Sequence, residues 1–204
     1  MDHLIKGYRE FRSRRWPEER ERYTDLAHNG QKPEYLVIAC SDSRSDPATI
    51  FNAHPGELFV IRNVAAVVPP YETDDTHHGT SAAIAFAVLS LNVRNILVMG
   101  HAQCGGVAAA LDNSIAESVP FLGRWIELLA PAATHSAHIA DHAAHHVAME
   151  RDCVRLSLER LMTFPFVAER VRAGKLQLDG GRFGIADGKL ELLDRKSGSF
   201  VTVD

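Results

Sequence analysis

Short, mainly apolar segments alternate with longer apolar segments along the first 111 residues. The short ones cover 35–40, 58–61 and 95–100, and their length and composition are typical of β-strands. The longer ones cover 80–91, which is rich in alanine, and 105–111, and both favour helices. Strands that are apolar on both faces and separated by helices are typical of a parallel sheet covered on both sides. The pattern therefore predicts an α/β fold with a mostly parallel β-sheet flanked by helices.

The amino-terminal region has a different pattern. Residues 1–28 are rich in charge, and Leu4, Tyr8 and Phe11 recur at the spacing of one helical face. This predicts an N-terminal helical arm, interrupted at Pro17. The arm either covers the core of its own chain or lies across a second subunit, and the pattern leaves both interpretations open.

The second half of the chain is mainly helical up to residue 171. Pro131 and Pro165 should break the helical stretch 121–171. Beyond it, 175–179 and 190–193 predict short strands, with Gly180 and Gly181 in a turn between them. No internal repeat or low-complexity linker divides the sequence, so we expect a single domain over 1–204, of which 1–28 is the arm.

Composition narrows the classes of function. The chain has 22 Lys and Arg against 26 Asp and Glu, and no basic stripe, so nucleic acid is not an expected partner. No apolar run approaches the roughly 20 residues that span a bilayer, and the first residues lack the apolar stretch of a secretory signal. We therefore expect no membrane partner and a cytoplasmic protein. Three cysteines are too few for a disulfide scaffold, so spaced Cys and His suggest metal ligands or catalytic groups.

Two polar motifs each follow a predicted strand. One is CSDSR at 40–44 and the other is HAQCGG at 101–106. Ligands of parallel α/β sheets bind beyond the carboxyl ends of the strands, so the two motifs can meet there. Cys40, His101 and Cys104 would then form a three-ligand set with an open fourth position, which is the pattern of a catalytic zinc site. Zinc lowers the pKa of its bound water towards about 7.

The neighbours of these ligands strengthen the metal hypothesis. A cysteine after a strand is often only a small buried side chain, and a lone H-x-x-C is a weak indication. Asp42 and Arg44 add a carboxylate and a guanidinium whose planar fork would keep the carboxylate ionised and oriented. Gly105 and Gly106 open a predicted helix whose N–H groups favour an anion, although tight packing alone would also select glycine.

These motifs resemble those of the β-class carbonic anhydrases. The matching segments are 40–44, 55–63 (PGELFVIRN) and 100–106, and the resemblance extends from about residue 30 to residue 193. The chain is similar to the plant-like type, because it has GQKP at 30–33, VVPPY at 67–71 and Val37 where the bicarbonate-gated type typically has tryptophan. The resemblance implies reversible hydration of carbon dioxide to bicarbonate and a proton, through attack by a zinc-bound hydroxide.

The resemblance also implies a role for individual residues. Cys40, His101 and Cys104 would bind one zinc ion per chain. Arg44 would keep Asp42 off the metal, and Asp42 would accept a hydrogen bond from the zinc-bound hydroxide. Gln31 would donate to an oxygen of the substrate, and an apolar pocket would form in part across the interface of a homodimer or larger homo-oligomer. The expected substrate contacts are Gln31, Phe59, Val64, Phe86 and Gly105.

Some residues depart from the family pattern or stand outside the motifs. Phe86 replaces a tyrosine that plant-like members often have, which puts in doubt any proton relay through that hydroxyl. Cys153 is expected to be a packed core thiol. Four histidines share a helical face, and we expect a solvated helix there rather than a metal-binding or proton-shuttling face; they are His135, His138, His142 and His145.

The same residues leave three alternatives to carbon dioxide hydration. Carbonyl sulfide and carbon disulfide are linear and apolar like carbon dioxide, and related enzymes use the same scaffold. A structural zinc or redox site on a binding module would need four ligands and would have no use for Asp42 or Arg44. Nucleotide binding fits the α/β pattern, but neither G-x-G-x-x-G nor a Walker A sequence follows a predicted strand.

Overall fold

The N-terminal arm is helical along its whole length. The computed structural model describes residues 1–74, 76–112 and 118–203. Helix α1 (Asp2–Glu10) continues through a π-helical turn (Phe11–Arg15) into α2 (Trp16–Asn29). Pro17 does not interrupt the arm as predicted, and it lies in the first turn of α2, directly after the π-helical turn that joins the two helices.

One sheet runs through the molecule. Its strands are β1 (Tyr35–Cys40), β2 (Leu58–Asn63), β3 (Asn95–His101), β4 (Gln177–Phe183), β5 (Leu190–Leu193) and β6 (Phe200–Thr202). Their spatial order is β2-β1-β3-β4-β5-β6, in which β1 to β4 run parallel and β5 and β6 are antiparallel. The predicted mostly parallel sheet flanked by helices is confirmed.

The helices that flank the sheet follow the predicted order. They are α3 (Pro47–Ile50), α4 (Gly79–Ala85, continued by a π-helical turn Phe86–Ser90), α5 (Gly105–Leu111), α6 (Leu122–Ile126), α7 (Ala130–Ser136), α8 (His142–Leu161) and α9 (Pro165–Arg172). Pro165 lies in the first turn of α9 after the non-helical residues 162–164, so the predicted break there is confirmed. The predicted break at Pro131 is wrong, because a 3-10 turn (Glu127–Leu129) joins α6 to α7 without a gap, and the helical stretch is interrupted instead at 137–141. None of the helices in the described part of the chain is long and apolar enough to cross a bilayer.

The predicted turn at Gly180 and Gly181 is wrong, because both residues lie inside β4. A Cβ on Gly180 would stand 2.7 Å from Val154 Cγ1 and 2.9 Å from Leu158 Cδ1 of α8. Gly180 therefore allows α8 to approach the sheet closely, while a Cβ on Gly181 would stand 3.2 Å from Leu192 Cδ2 of β5. The real turn follows β4, where Gly184 N donates to Lys189 O at 2.7 Å and Gly188 has a φ of +68°.

The core lies between the sheet and the helices, and the arm contributes little to it. Strand residues such as Ile38, Ile96 and Val98 are fully buried against α4 and α8. No residue of α1 or α2 is buried, and the side chain of Leu4 is 67% exposed. The arm therefore presents apolar side chains to its surroundings.

Charged side chains tie α8 to β4 and β5. Arg151 donates to both oxygens of Glu191, at 2.7 and 3.2 Å, and Arg182 donates to Glu191 at 3.4 Å. Burial raises the pKa of Glu191, but the hydrogen bond from Arg151 and the charges of both arginines outweigh it, so the net pKa is lowered.

Replacing Glu191 with glutamine should lower the free energy of unfolding at pH 7 by about 1.5–3 kcal/mol, the range for hydrogen bonds to charged groups. Because the folded-state pKa is depressed, this contribution is present above the unfolded value of about 4.3 and is lost as the pH falls through the folded value. Urea unfolding of the wild type and of Glu191→Gln between pH 3 and pH 7 would measure this difference in unfolding free energy, with pH points chosen around those pKa values. A difference that stays constant over the whole range would contradict the assignment.

Candidate metal centre

Three donor side chains meet at the carboxyl edge of the parallel strands. Cys40 ends β1, His101 ends the neighbouring strand β3, and Cys104 directly precedes α5. The two sulfur atoms are 3.9 Å apart, and the three donor atoms all lie within 4.8 Å of one another. All three residues are buried. Among the described residues this is the one group of three or more His, Cys, Asp or Glu side chains placed to hold a metal ion.

His101 is oriented for metal binding. Its Nδ1 lies 2.9 Å from the Ala102 carbonyl oxygen, so Nδ1 carries the proton and donates it. Its Nε2 is buried and has no hydrogen-bond partner within the described residues. A buried nitrogen without a partner is unfavourable, and a carbonyl on the far nitrogen of the ring is the usual arrangement for a histidine ligand. The residues present therefore fit a metal ion.

The two cysteine sulfurs are suited to bind a divalent cation between them. A hydrogen bond from Cys104 lowers the pKa of Cys40 to about 4, against the opposing effect of burial. The Cys40 sulfur and burial together raise the pKa of Cys104, although the Gly106 and Val107 amides favour its thiolate. Two thiolates and a neutral imidazole are a donor set that zinc prefers.

Asp42 and Arg44 form a two-pronged ion pair beside the cluster. Arg44 Nε donates to Asp42 Oδ1 at 3.0 Å, and Arg44 Nη2 donates to Asp42 Oδ2 at 2.8 Å. The Arg44 backbone N–H donates to Oδ1 as well, at 2.9 Å. These bonds hold the pKa of Asp42 well below its usual range. Asp42 Oδ2 lies 3.9 Å from His101 Nε2, so an ionised, fixed carboxylate stands at the edge of the donor cluster.

Arg62 also shapes the centre, although the motifs gave it no role. Its Nε donates to the Cys40 carbonyl at 2.8 Å and its Nη2 donates to the Asp42 carbonyl at 2.6 Å. It thereby fixes the backbone that carries both side chains. Arg62 reaches these carbonyls because β2 pairs it with Ala39 of β1. This pairing depends on how the two strands align in the sheet, so the spacing of residues along the sequence does not reveal it.

A strained turn packs against the start of α5. Ala65 and Ala66 have φ values of +65° and +54°, and the side-chain amide of Asn63 bonds to both the N–H and the carbonyl of Val67. A Cβ on Gly106 would stand 2.7 Å from Val64 Cγ1 and 2.9 Å from Ala65 Cβ. Gly106 is therefore needed for close packing between this turn and the helix.

Replacing Gly106 with alanine should destabilise the fold by about 1–3 kcal/mol, because overpacking forces the turn at Ala65 to shift. Gly105→Ala is the matched control, since a Cβ there meets no atom within 4 Å. We expect the control to be neutral or stabilising by up to about 1 kcal/mol. Thermal unfolding of both variants would show the difference, and equal Tm values would contradict the packing argument.

The predicted substrate contacts are divided between two regions. Val64 lies beside Gly106, near the donor cluster, and Gly105 is the exposed first residue of α5. Phe59 and Phe86 contact each other, with ring centroids 5.8 Å apart. However, Phe59 pairs with Leu36, four residues before Cys40, which is about 13 Å along the strand.

Gln31 is likewise exposed and lies two residues after α2 ends. One chain therefore does not bring Phe59, Phe86 or Gln31 onto its own donor cluster.

Two histidines of the second half of the chain pair with carboxylates. His135 Nδ1 lies 2.8 Å from Asp152, and His146 Nδ1 lies 2.9 Å from Glu150. The histidine face does not form a metal-binding group in the part of the chain that the structure describes. Cys153 is buried in the core, as predicted, and burial raises its pKa to about 12.

The sequence from residue 35 to residue 190 matches the model of the carbonic anhydrase family. This chain belongs to the carbonic anhydrase family. The match confirms the predicted family, and the cluster of Cys40, His101 and Cys104 confirms a potential metal site among the described residues.

Curated relatives identify the β class. The chain is 37% identical over 193 residues to beta carbonic anhydrase 5, chloroplastic, of Arabidopsis thaliana, covering 92% of this chain and 62% of that protein. It is 33% identical over 198 residues to beta carbonic anhydrase 3 of the same plant, covering 94% and 76%. The chain thus spans less than two thirds of the first of these carbonic anhydrases. Its plant-like character is confirmed.

Solved structures agree with the fold. The beta-carbonic anhydrase CcaA superposes with a TM-score of 0.92 at 31% identity, covering 100% of this chain and 92% of that one. A tetrameric beta-carbonic anhydrase from Sordaria macrospora gives a TM-score of 0.83 at 30% identity, covering 98% of both chains. The helical arm and the sheet are therefore shared with known carbonic anhydrases.

Proposed function

We propose that this chain catalyses the reversible hydration of carbon dioxide to bicarbonate and a proton. The observation that carries the proposal is the buried Cys40, His101 and Cys104 cluster with the Asp42–Arg44 ion pair at its edge. A site closed for structure would use four protein ligands and would not need a fixed carboxylate beside it. Here three donors leave one coordination position open, and the hydrogen bonds from Arg44 keep Asp42 from acting as the fourth ligand.

Each residue of the centre has a defined task in this proposal. Cys40, His101 and Cys104 hold zinc, which when bound supplies a water of low pKa and hence a nucleophile at neutral pH. Asp42 is ionised and can only accept hydrogen bonds, so it orients a hydroxyl donor at the open position. Arg44 keeps that carboxylate in place through two parallel bonds. Positioning and electrostatics thus carry much of the rate.

We assign the substrate pocket to residues of two chains. Val64 and Gly105 lie near the cluster of their own chain, whereas Gln31, Phe59 and Phe86 serve the cluster of a second copy. Exposed apolar side chains support a homodimer or larger homo-oligomer, because Phe86 is 49% exposed and Leu89 is 52% exposed on the same helical segment. Leu4 and Tyr8 of the arm add a second exposed apolar face.

Light scattering of the purified protein at micromolar concentration tests the shared pocket. We expect the mass of a dimer or a multiple of it, in keeping with the tetrameric relative from Sordaria macrospora. A monomer with full hydration activity would contradict a pocket built from two chains.

The proposal extends to domain organisation and compartment. The sheet continues from β2 to β6 without a break, which supports a single zinc-dependent domain over 1–204 with 1–28 as its helical arm. All three cysteines are free and buried, which favours a reducing compartment, and we place the protein in the cytoplasm. A fluorescent fusion imaged in the source cells would contradict this if it collected in an organelle or outside the cell.

Stopped-flow hydration with a pH indicator near pH 8 tests the reaction itself. The protein is assayed in parallel on carbon dioxide and on carbonyl sulfide, which offers the same linear shape to the pocket. We expect rapid hydration of carbon dioxide and a much slower reaction of carbonyl sulfide. If the zinc-loaded protein turned over carbonyl sulfide but hydrated carbon dioxide negligibly, the proposed substrate would be wrong and carbonyl sulfide would replace it.

A further inference from the structure

A buried carboxylate lies directly behind the donor cluster. Glu150 of α8 is 2% exposed, and its Oε1 accepts a hydrogen bond from the Cys104 backbone N–H at 3.4 Å. The same oxygen lies 2.9 Å from His146 Nδ1. The other oxygen, Oε2, accepts a hydrogen bond from Arg182 Nε at 2.7 Å. Glu150 therefore joins α8 and β4 to the loop that carries Cys104.

The Cys104 loop is held from behind, where Glu150 accepts a hydrogen bond from the Cys104 backbone N–H. Behind the loop there is a cavity of only about 10 Å³, lined in part by His101, Cys104, Glu150 and Cys153. That space is at the lower limit for a single water molecule, so a water has little room to replace the carboxylate.

The charge of Glu150 is balanced away from the cluster. A carboxylate close to two thiolates would repel them unless a cation neutralised it. Arg182 does so at 2.7 Å, and its Nη1 also donates to Glu191, which Arg151 binds in turn. The Glu150 carboxylate is thus a fixed hydrogen-bond acceptor whose charge is balanced by Arg182. It can therefore hold the Cys104 loop without repelling a thiolate there.

We propose that Glu150 is a positioning residue of the metal centre, which fixes the direction of the Cys104 sulfur by holding its backbone N–H from behind. The inference rests on the proposed ligand set of Cys40, His101 and Cys104. Outer contacts of this kind commonly change metal affinity by about 10–100-fold when removed.

Glutamine at position 150 cannot make the same contacts. The Cys104 N–H and Arg182 Nε are both donors, and they approach different oxygens of the carboxylate. A glutamine amide has one acceptor oxygen and one NH₂ donor, so it must turn the donor group towards one of these two partners. Glu150→Gln should therefore loosen the Cys104 loop although it changes the side-chain volume very little.

Asp152→Asn is a matched control on the same helix. Asp152 is also a buried carboxylate, and it also pairs with one arginine and one histidine, Arg155 and His135, each at 2.8 Å. It forms no described contact with Cys40, His101 or Cys104. The control therefore reports the general consequence of neutralising a buried, paired carboxylate of α8.

Zinc release and the cobalt spectrum test the inference together. Zinc-loaded proteins are mixed with excess 4-(2-pyridylazo)resorcinol well below their Tm, and absorbance follows the released metal. Glu150→Gln should release zinc about 10–100 times faster than wild type, whereas Asp152→Asn should release it at the wild-type rate. In the cobalt(II)-substituted proteins, the thiolate-to-cobalt absorption should shift in Glu150→Gln and stay unchanged in Asp152→Asn.

Two results would overturn the inference while leaving the ligand set intact. One is wild-type zinc release and an unchanged cobalt spectrum in Glu150→Gln, and the other is equal changes in both variants. If Glu150→Gln does not fold, Arg182→Lys decides, since it keeps the charge but loses the Nε contact: faster release supports the inference and unchanged release overturns it. A wild-type protein without thiolate-to-cobalt absorption would instead overturn the ligand set, and the inference with it.

Discussion

Replacing Cys104 with alanine should leave a folded protein that no longer retains zinc and hydrates carbon dioxide at least about a thousand times more slowly. The remaining two donors cannot hold the ion against dilution, and without it no group in the centre supplies hydroxide at neutral pH, because free water has a pKa near 15.7 against about 7 on zinc. Metal analysis after gel filtration and stopped-flow hydration at pH 8 would measure both losses on one sample.

Cys153→Ala is the matched control for this result. Cys153 is a second buried thiol that packs in the same apolar cluster as Cys104, but it is not one of the three donors. The control should lose some stability, since it empties space in the core, while it keeps zinc and hydration activity. If Cys104→Ala kept its zinc, or if both variants lost it equally, the ligand assignment would be wrong.

The second large effect is expected at Asp42. Asp42→Asn should slow hydration by about 10–100-fold while the zinc content stays near one per chain. The amide carries an NH₂ group that would point either at Arg44, a donor itself, or at the open position, so the side chain can no longer be fixed as a pure acceptor. The ratio kcat/KM for carbon dioxide and the bound zinc should be measured together.

Asp179→Asn offers a comparison with a similar ion pair outside the metal centre. Asp179 of β4 accepts a hydrogen bond from Arg195 at 2.7 Å, so its loss also breaks a carboxylate–guanidinium contact. We expect this variant to retain the wild-type rate. Full hydration activity in Asp42→Asn would show that the carboxylate does not orient the reacting group, whatever its distance from His101.

The sequence predicted the parts of the fold that depend on local pattern. β1 and α5 were placed at their observed bounds, because uninterrupted apolar segments mark them. β2 was predicted too short, since its last two residues, Arg62 and Asn63, are polar. Both polar side chains hold backbone by hydrogen bonds: Arg62 donates to the Cys40 carbonyl, and Asn63 donates to the Val67 carbonyl of the turn before α4.

What the sequence did not predict depends on contacts between distant elements. Gly180 and Gly181 have the composition of a turn, and only the approach of α8 to Gly180 and of β5 to Gly181 shows that they serve close packing. Glu150 stands 46 residues from Cys104, and its role depends on how α8 crosses the end of β3. The proposed contacts of Gln31, Phe59 and Phe86 with substrate would depend on a second chain, which the pattern of a single chain does not position.

Removal and restoration of zinc test the central claim most directly. The protein is stripped with a chelator, then titrated with zinc while carbon dioxide hydration is followed by stopped flow at pH 8. The account predicts negligible activity without metal and a linear rise that ends at one zinc per chain. Hydration that persists in the metal-free protein, or a fully zinc-loaded protein with no hydration, would contradict it.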